Sequence, residues 1–275
     1  MIGSVRAELL VLGKRASTWI LLGIWATLAL VFAYVVPYAT YLNGSTQDPL
    51  ADVLPRNLVA ALMQGFPFFG GVIALMLGVL TFGSEYGWGT LRTLFTQQPG
   101  RLQVFGAKLL ALAAALGLFV LVVFAVGTLT STVIALREGA DLAWPSAWLL
   151  VRGLAAGWLI LGVWAALGVL LAVLFRGTAL AIGIGILYTL VIEGLLSALA
   201  SQVGLVDRLV EFFVRANGYS LVVGLGVSSN DVGDSGPGSF SGPFVEGEQA
   251  LLTLILYGTA FLLFSGWLLR RRDVA

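Results

Sequence analysis

Six long runs of apolar residues constrain this chain more than any other feature. A helix needs about 20 residues to cross a hydrocarbon core of roughly 30 Å. Backbone polar groups find no water partner in lipid, so each run must form a helix or join a closed barrel; uninterrupted runs without alternation favour helices. The sequence therefore predicts an all-α polytopic membrane protein, a single transmembrane domain over residues 1–275. Its six predicted spans are 18–38, 58–82, 107–136, 148–175, 178–200 and 250–269.

The amino-acid composition limits the kinds of active site and metal site that the chain can form. Hydrophobic residues make up 59% of the chain and charged residues 11%, against about 25% charged in soluble proteins. The chain has no cysteine and no histidine, which excludes disulfides, Cys or His metal sites, His-ligated haem and Ser-His or Cys-His nucleophile pairs. We therefore predict no catalytic, cofactor-binding or metal-binding residue. The net charge of +1 gives no reason to expect a nucleic-acid partner.

The cations are distributed unevenly between the two predicted sides of the membrane. Ten lysines and arginines fall on one side and five on the other, where they are accompanied by ten carboxylates. Because cytoplasmic loops carry the excess of Lys and Arg, the first side is predicted to be cytoplasmic. Both termini are then inside the cell, and the protein is a multi-pass protein of the cell membrane. The ten are Arg6, Lys14, Arg15, Arg92, Arg101, Lys108, Arg176, Arg270, Arg271 and Arg272; the five are Arg56, Arg137, Arg152, Arg208 and Arg215.

Two segments outside the spans have helical patterns. Residues 1–17 combine leucines with cations, which suits a helix in the cytoplasmic interface; an ordinary basic flank is the alternative. Residues 201–249 form the long extracytoplasmic segment. Within it, residues 204–216 are amphipathic but too charged to span, so we expect them at the outer membrane surface.

A polar segment separates the second run from the third. Trp88 and Leu91 fall on one helical stripe, while Glu85, Gly89 and Arg92 fall on another. The spacing predicts a short amphipathic cytoplasmic helix over residues 83–100, stopped at its end by Pro99 and Gly100. One face would rest on the spans and the other would present Glu85 and Arg92 to the cytosol or to a partner. An interfacial helix without a partner is the alternative.

This segment, "GSEYGWGTLRTLFTQQPGRLQVFGAK", resembles the one that follows the second span in permease subunits of ABC-2-type exporters. Gly87 stands where that family often has a basic residue. The resemblance extends to the basic helix before the first span, the six spans, the tight "FRGTA" turn and the long outer segment before the last span. The matching positions are Gly83, Ser84, Glu85, Tyr86, Gly89, Thr90, Leu91, Arg92, Arg101 and Lys108.

The resemblance implies that the polar segment is a coupling helix that joins this chain to a separate ATP-hydrolysing subunit. The chain lacks a G-x-x-x-x-G-K-[ST] loop, so ATP and Mg would be bound by that soluble partner and this chain would not itself be an enzyme. A second copy of the chain, or a homologous permease, would complete the exporter within the lipid bilayer. The residues implied in ATPase coupling are Glu85, Gly89, Arg92, Arg101 and Arg176.

Glu193 is a carboxylate inside the fifth run, roughly 22 Å from its cytoplasmic start at 1.5 Å per residue. Charged groups at such depth usually face a bundle interior or a cavity. Glu193 is therefore either a polar element of the transport path or outer gate, or a structural carboxylate. In the second case it would pair with Arg152 or a loop group, or lie at the outer headgroup level.

Two other functions fit six apolar runs. A secondary transporter would show inverted repeats and broken or charged helices at the midplane, and the sequence displays neither by inspection. A membrane assembly or scaffold protein would need no transport path. The leading expectation is the membrane subunit of an exporter, and its apolar spans favour a lipid, drug or peptide-like substrate.

Overall fold

Helices make up all the regular structure in the part of the chain described by the computed structural model, which is residues 2–44, 50–88, 100–196, 208–226 and 245–271. Six of them are long and apolar enough to cross a membrane. The predicted all-α class and the six spans are confirmed at this level, and the chain is a multi-pass membrane protein. The spans are span 1 (Ala16–Leu42), span 2 (Phe66–Glu85), span 3 (Leu102–Glu138), span 4 (Ala147–Phe175), span 5 (Thr178–Leu196) and span 6 (Gly247–Arg271).

The N-terminal helix, Ile2–Lys14, ends where Arg15 takes an extended conformation, and span 1 begins at the next residue. Span 1 is longer than the predicted 18–38 and widens into a π-helical turn at Val31–Val35. Pro37 follows this turn; a proline has no N–H for the helical ladder, and a π turn accommodates the loss. The helical character of residues 1–17 agrees with the sequence, whereas their interfacial position stays a prediction.

The predicted second span, 58–82, is interrupted. Leu58–Met63 forms a separate short helix, and a continuous helix begins only at the π-helical turn Phe66–Gly70. Gly65 and Pro67 lie at the break, where glycine loosens the backbone and proline removes a donor. The helix then runs on through Gly71–Trp88. The described start of the predicted coupling helix therefore continues span 2, and residues 89–99 lie outside the described residues.

The remaining spans match their predictions closely, with small shifts at their ends. Span 3 is part of one 38-residue helix, Arg101–Glu138, that ends at Gly139 with a positive φ of 64°, a conformation that glycine adopts easily. Span 4 ends at Arg176, which holds the left-handed conformation at φ 53°. Span 5 changes from α- to π-helix over Leu187–Glu193.

The spans alternate in direction, so the bundle has two distinct ends. At the first, span 2 finishes beside the start of span 3, where Glu85 contacts Lys108; this is the Lys108 end. At the other, the Tyr38 hydroxyl of span 1 donates to Glu138 Oε1 of span 3 at 2.6 Å; this is the Glu138 end. The N-terminal helix lies at the Lys108 end because Glu8 also contacts Lys108.

Spans 2 and 4 run in parallel and cross at two glycines. A Cβ added to Gly78 would lie 2.2 Å from the carbonyl oxygen of Ala165, and one added to Gly168 would lie 2.2 Å from that of Leu75. No side chain fits there, so the two backbones are in direct contact, as small residues permit between helices in lipid. Span 2 is the most enclosed of the six spans in the described residues. Spans 2 and 4 together form the centre of the bundle.

A further helix, Val214–Gly224, is buried in the bundle; it is called the inserted helix below. Gly218 packs on Pro67 at the start of span 2, with Ile160 of span 4 beside it. The Tyr257 hydroxyl of span 6 donates to the Phe212 carbonyl at 2.9 Å. Of the amphipathic segment expected at the outer membrane surface, residues 208–216 are described: Leu209 and Phe212 are exposed, whereas Val210, Val214 and Arg215 are buried. Its position at the membrane surface stays a prediction.

The glycine crossing predicts a strongly position-dependent effect of adding one methyl group. We expect Gly168→Ala to lower the free energy of unfolding by about 1–3 kcal/mol, because the methyl has no space against the Leu75 carbonyl. Gly162→Ala on the same helix is the control, since a Cβ there has no atom within 4 Å. Thermal unfolding of the two purified variants in detergent compares them. Equal unfolding midpoints would contradict the crossing.

Candidate functional site

A buried ion pair occupies the Lys108 end. The Lys108 ammonium lies 2.9 Å from Glu8 Oε2 of the N-terminal helix and also contacts Glu85 Oε1 at the base of span 2. Lys108 is 2% exposed and Glu85 is 6% exposed. Removing a charge from water is costly unless its partners replace the hydration shell, so the two carboxylates and the ammonium stabilise one another. The N-terminal helix, span 2 and span 3 are joined at this point.

Arg15 adds a second link at the same end. Its Nη1 donates to the Leu80 carbonyl at 2.9 Å and to Ser84 Oγ at 3.0 Å. The Ser84 hydroxyl also donates to the Leu80 carbonyl. The break between the N-terminal helix and span 1 thus places a guanidinium on the last turns of span 2, close to Glu85.

The turn between spans 4 and 5 packs against the same part of span 2. A Cβ added to Gly83 would lie 2.9 Å from Thr178 Cγ2 and 3.4 Å from the backbone of Gly177. Arg176 stands beside this contact in the left-handed conformation, which ends span 4 and reverses the chain. The fold therefore brings the Arg176 turn to the Lys108 end, beside the segment that contains Glu85.

The residues predicted for ATPase coupling have different outcomes. Glu85 is buried and paired, so it does not present its carboxylate to the cytosol as expected. The helical stripe assigned it to the outward face because helical spacing does not show the lysine 23 residues away that covers it. Arg101 begins the long helix of span 3, and nothing is described of its side chain. Gly89 and Arg92 lie outside the described residues. Their predicted roles stay predictions.

Sequence reasoning missed the pairing of Glu8 with Lys108. Glu8 is the first acidic residue in the chain and has no other before Asp48. A lone carboxylate within an apolar, basic helix is the signal that could have pointed to a buried cationic partner. The identity of that partner, 100 positions along the chain, was not accessible from helical spacing.

The second polar centre is at Glu193, which is 0% exposed. One carboxylate oxygen accepts from the Val214 amide at 3.1 Å, and the other accepts from the Arg215 amide at 3.2 Å. These are the first two amides of the inserted helix. An anion at this position satisfies unpaired N–H groups and complements the helix dipole. Glu193 thus caps the first turn of the inserted helix, and its predicted place in a transport path stays a prediction.

The opposite end of the inserted helix carries a cation. Arg152 Nη2 of span 4 donates to the Gly224 carbonyl at 3.3 Å, so Arg152 pairs with this helix instead of with Glu193. The Arg215 guanidinium lies 5.2 Å from the centre of the Phe68 ring. Burial lowers the pKa of Arg215, and the nearby Glu193 carboxylate opposes that shift. Acidic and basic side chains therefore mark the two ends of the inserted helix as its dipole favours.

In the described residues, no group of three or more carboxylates, histidines or cysteines is arranged to hold a metal ion. The chemistry available at the two centres is charge pairing and helix capping. Both centres hold separate elements together.

Comparison with known proteins gives a family. A family model described as "Protein of unknown function (DUF2705)" matches residues 20–275, which is most of the chain. The chain belongs to this family. No curated protein matches it. The description of the DUF2705 family assigns no activity, so the function has to be argued from the two polar centres.

The Lys108 centre predicts that one lost ammonium is more harmful than the loss of all three charges. We expect Lys108→Met to lower the free energy of unfolding by about 3–5 kcal/mol, because the buried Glu85 and the partly buried Glu8 lose the ammonium that both contact. The triple variant Glu8→Gln, Glu85→Gln and Lys108→Met should recover much of this loss. The free energy of unfolding of the original protein, the single variant and the triple variant is measured in detergent.

Lys14→Met is the matched control, since it removes an exposed lysine from the same end of the bundle. Its stability should stay within about 0.5 kcal/mol of the original protein. A Lys108→Met protein as stable as the Lys14→Met protein would show that the buried ion pair does not hold this end together.

Proposed function

We propose that this chain is the membrane subunit of an ATP-driven exporter, in which ATP and Mg are bound by a separate soluble subunit that docks at the Lys108 end. The observation that carries the proposal is the ion pair that connects Glu8, Glu85 and Lys108. The resemblance of residues 83–108 to the coupling segment of ABC-2-type permeases supports the same end. The proposal places this end in the cytoplasm, in agreement with the excess of cations there.

The ion pair gives a physical route for coupling. The ion pair between Glu85 and Lys108 joins the end of span 2 to the start of span 3, on either side of residues 89–99 in the sequence. A force applied by a partner to residues 89–99 is therefore delivered to spans 2 and 3 together. Glu8 extends the same connection to the N-terminal helix.

The glycine crossing carries movement onward from span 2. Because the backbones of spans 2 and 4 touch at Gly78 and Gly168, a shift of span 2 cannot be absorbed by flexible side chains and must move span 4. The Arg176 turn, packed on Gly83, adds a second contact between the two. This arrangement supports transmission from the Lys108 end into the membrane.

The proposed residue roles combine the resemblance to ABC-2-type permeases with the burial of Glu85. Arg92, with Gly89 allowing close approach, is proposed to contact the ATPase subunit. Glu85 positions the segment from inside the bundle instead of docking. Arg101 and Arg176 are the further cations proposed for the docking end. A second copy of the chain, or a homologous permease, is proposed to complete the exporter with a second ATPase subunit.

An apolar cavity supports a substrate with an apolar part. A space of about 250 Å³ lies between spans 3, 4 and 6, and its described lining contains no charged side chain. Small residues widen it at Ala113, Gly162 and Gly258. The indole of Trp158 donates to the Ala113 carbonyl at 2.9 Å, so its polar group is already satisfied. A lipid, drug or peptide-like molecule with a hydrocarbon portion fits these walls.

One observation favours a secondary transporter as a second candidate. The continuous apolar runs predicted no broken helix at depth, yet the structure has a π-helical stretch ending at Glu193 and a short helix whose first amides face that carboxylate. Discontinuous helices of this kind bind substrates and ions in secondary transporters. Transport assays in reconstituted vesicles distinguish the exporter from the secondary transporter. Transport that follows an ion gradient without ATP would favour the secondary transporter.

The docking face is tested by co-purifying the chain with a soluble subunit that carries a phosphate-binding loop, sought first in the neighbouring reading frames. We expect Arg92→Ala to weaken recovery of the ATPase, because the loss of a docked charge costs about 1.5–3 kcal/mol, or roughly 10- to 100-fold in affinity. Arg56→Ala, an exposed arginine at the Glu138 end, is the control and should leave recovery unchanged. If Arg92→Ala retains full recovery and transport, the docking assignment is wrong.

A further inference from the structure

The inserted helix fills the Glu138 half of the bundle between spans 2, 4 and 6. It has 11 residues, about 16 Å of helix, which is too short to cross a membrane. Pro67 of span 2 lies against Gly218, and Gly247 at the start of span 6 lies against Gly224. If the helix moved out, the space that it leaves would open toward the Glu138 end, with spans 2, 4 and 6 as its walls.

The inserted helix is unusually polar for an element in this position. Arg215, Asn217 and Ser220 are all at most 5% exposed. The Asn217 amide nitrogen donates to the carbonyls of Glu211 and Phe213, but its oxygen Oδ1 is buried without a hydrogen-bond partner in the described residues. Hydration would satisfy that oxygen and solvate the guanidinium, so withdrawal costs less than it would for an apolar helix.

Charged groups hold both ends of this helix in place. Glu193 of span 5 accepts from its first two amides, and Arg152 of span 4 donates to its last carbonyl. The Glu193 contact is the more enclosed of the two, since Arg152 lies at an exposed position. Charge-assisted hydrogen bonds are roughly twice as strong as neutral ones, so the Glu193 carboxylate is the main attachment at the N-terminal end of the inserted helix.

We propose that the inserted helix is a displaceable plug in the transport path and that the Glu193 carboxylate is the latch that holds it in. The latch stands on the hydrogen bonds at Glu193 and does not depend on the source of energy. The role of the plug in export rests on the proposed function. Release of the latch opens the Glu138 half of the bundle without disturbing the Lys108 end.

Substitution of Glu193 by glutamine weakens the latch for a defined reason. An amide presents one acceptor oxygen to two N–H donors, and its own NH₂ group faces them as a third donor. The change also removes the negative charge beside Arg215. The other titratable groups that face Glu193 are the hydroxyls of Tyr188 on span 5 and Tyr257 on span 6. Aspartate keeps the carboxylate and is the conservative comparison.

The absence of cysteine from the chain allows a clean test. Ala216→Cys places a thiol on the inserted helix at a position that is 1% exposed, and Ala172→Cys places one in span 4 at a position that is 0% exposed. The rate of maleimide labelling is measured for each in purified protein. Leu142→Cys, on the exposed loop before span 4, gives the rate of an open thiol.

With the latch intact, Ala216→Cys should react far more slowly than Leu142→Cys. Glu193→Gln should raise its labelling rate by at least about tenfold, since opening becomes more frequent while the rest of the fold stays closed. Glu193→Asp should stay near the original rate. Glu138→Gln, which removes a carboxylate bonded to Tyr38 at the same end, should leave the rate unchanged.

Two results would overturn the latch. One is a Glu193→Gln protein in which Ala216→Cys labels at the original rate. The other is an equal rise at Ala172→Cys, which would mean that the whole bundle loosens and that Glu193 acts on general stability. A positive latch result together with ATP-independent transport would retain the latch and reject the proposed function.

Discussion

The charge on Lys108 is the constraint on which the rest of the structure depends. An ammonium that is 2% exposed in an apolar bundle must be neutralised, and only Glu8 and Glu85 do so among the described residues. Their positions fix where span 2 meets span 3 and where the N-terminal helix lies. The same contact explains why Glu85, at the end of a span, is buried. Any partner at this end therefore acts on three connected elements.

Rigid contacts extend from this end to the other half of the bundle. The backbone contact of Gly78 with span 4 leaves no compressible layer between the two central spans. In the Glu138 half, the inserted helix is held by a small number of polar bonds, of which those of Glu193 are the most buried. The proposed plug agrees with this difference, since a bundle that is tightly joined at the Lys108 end and closed by a polar helix at the other would open on the Glu138 side.

Much of the fold could be predicted from the sequence because burial in lipid demands long apolar helices, and six runs met that demand. Local features were harder. Pro67 interrupts a run that hydropathy alone shows as continuous. The charges around Arg215 predicted a surface segment. Helical spacing could not show that the Arg215 side chain lies beside Phe68 and Glu193, which are distant in the sequence. Glu85 was predicted to face the cytosol but is buried, because its partner Lys108 lies 23 residues away, beyond the reach of helical periodicity.

The central claim is that the Lys108 ion pair makes the N-terminal helix and span 3 move as one body. Spin labels on cysteines at the exposed positions Leu10 and Leu110 report the distance between these two elements by pulsed electron resonance. The account predicts one narrow distance distribution in the original protein and a broad one when Lys108 is replaced by methionine. Equally narrow distributions in both proteins would contradict it.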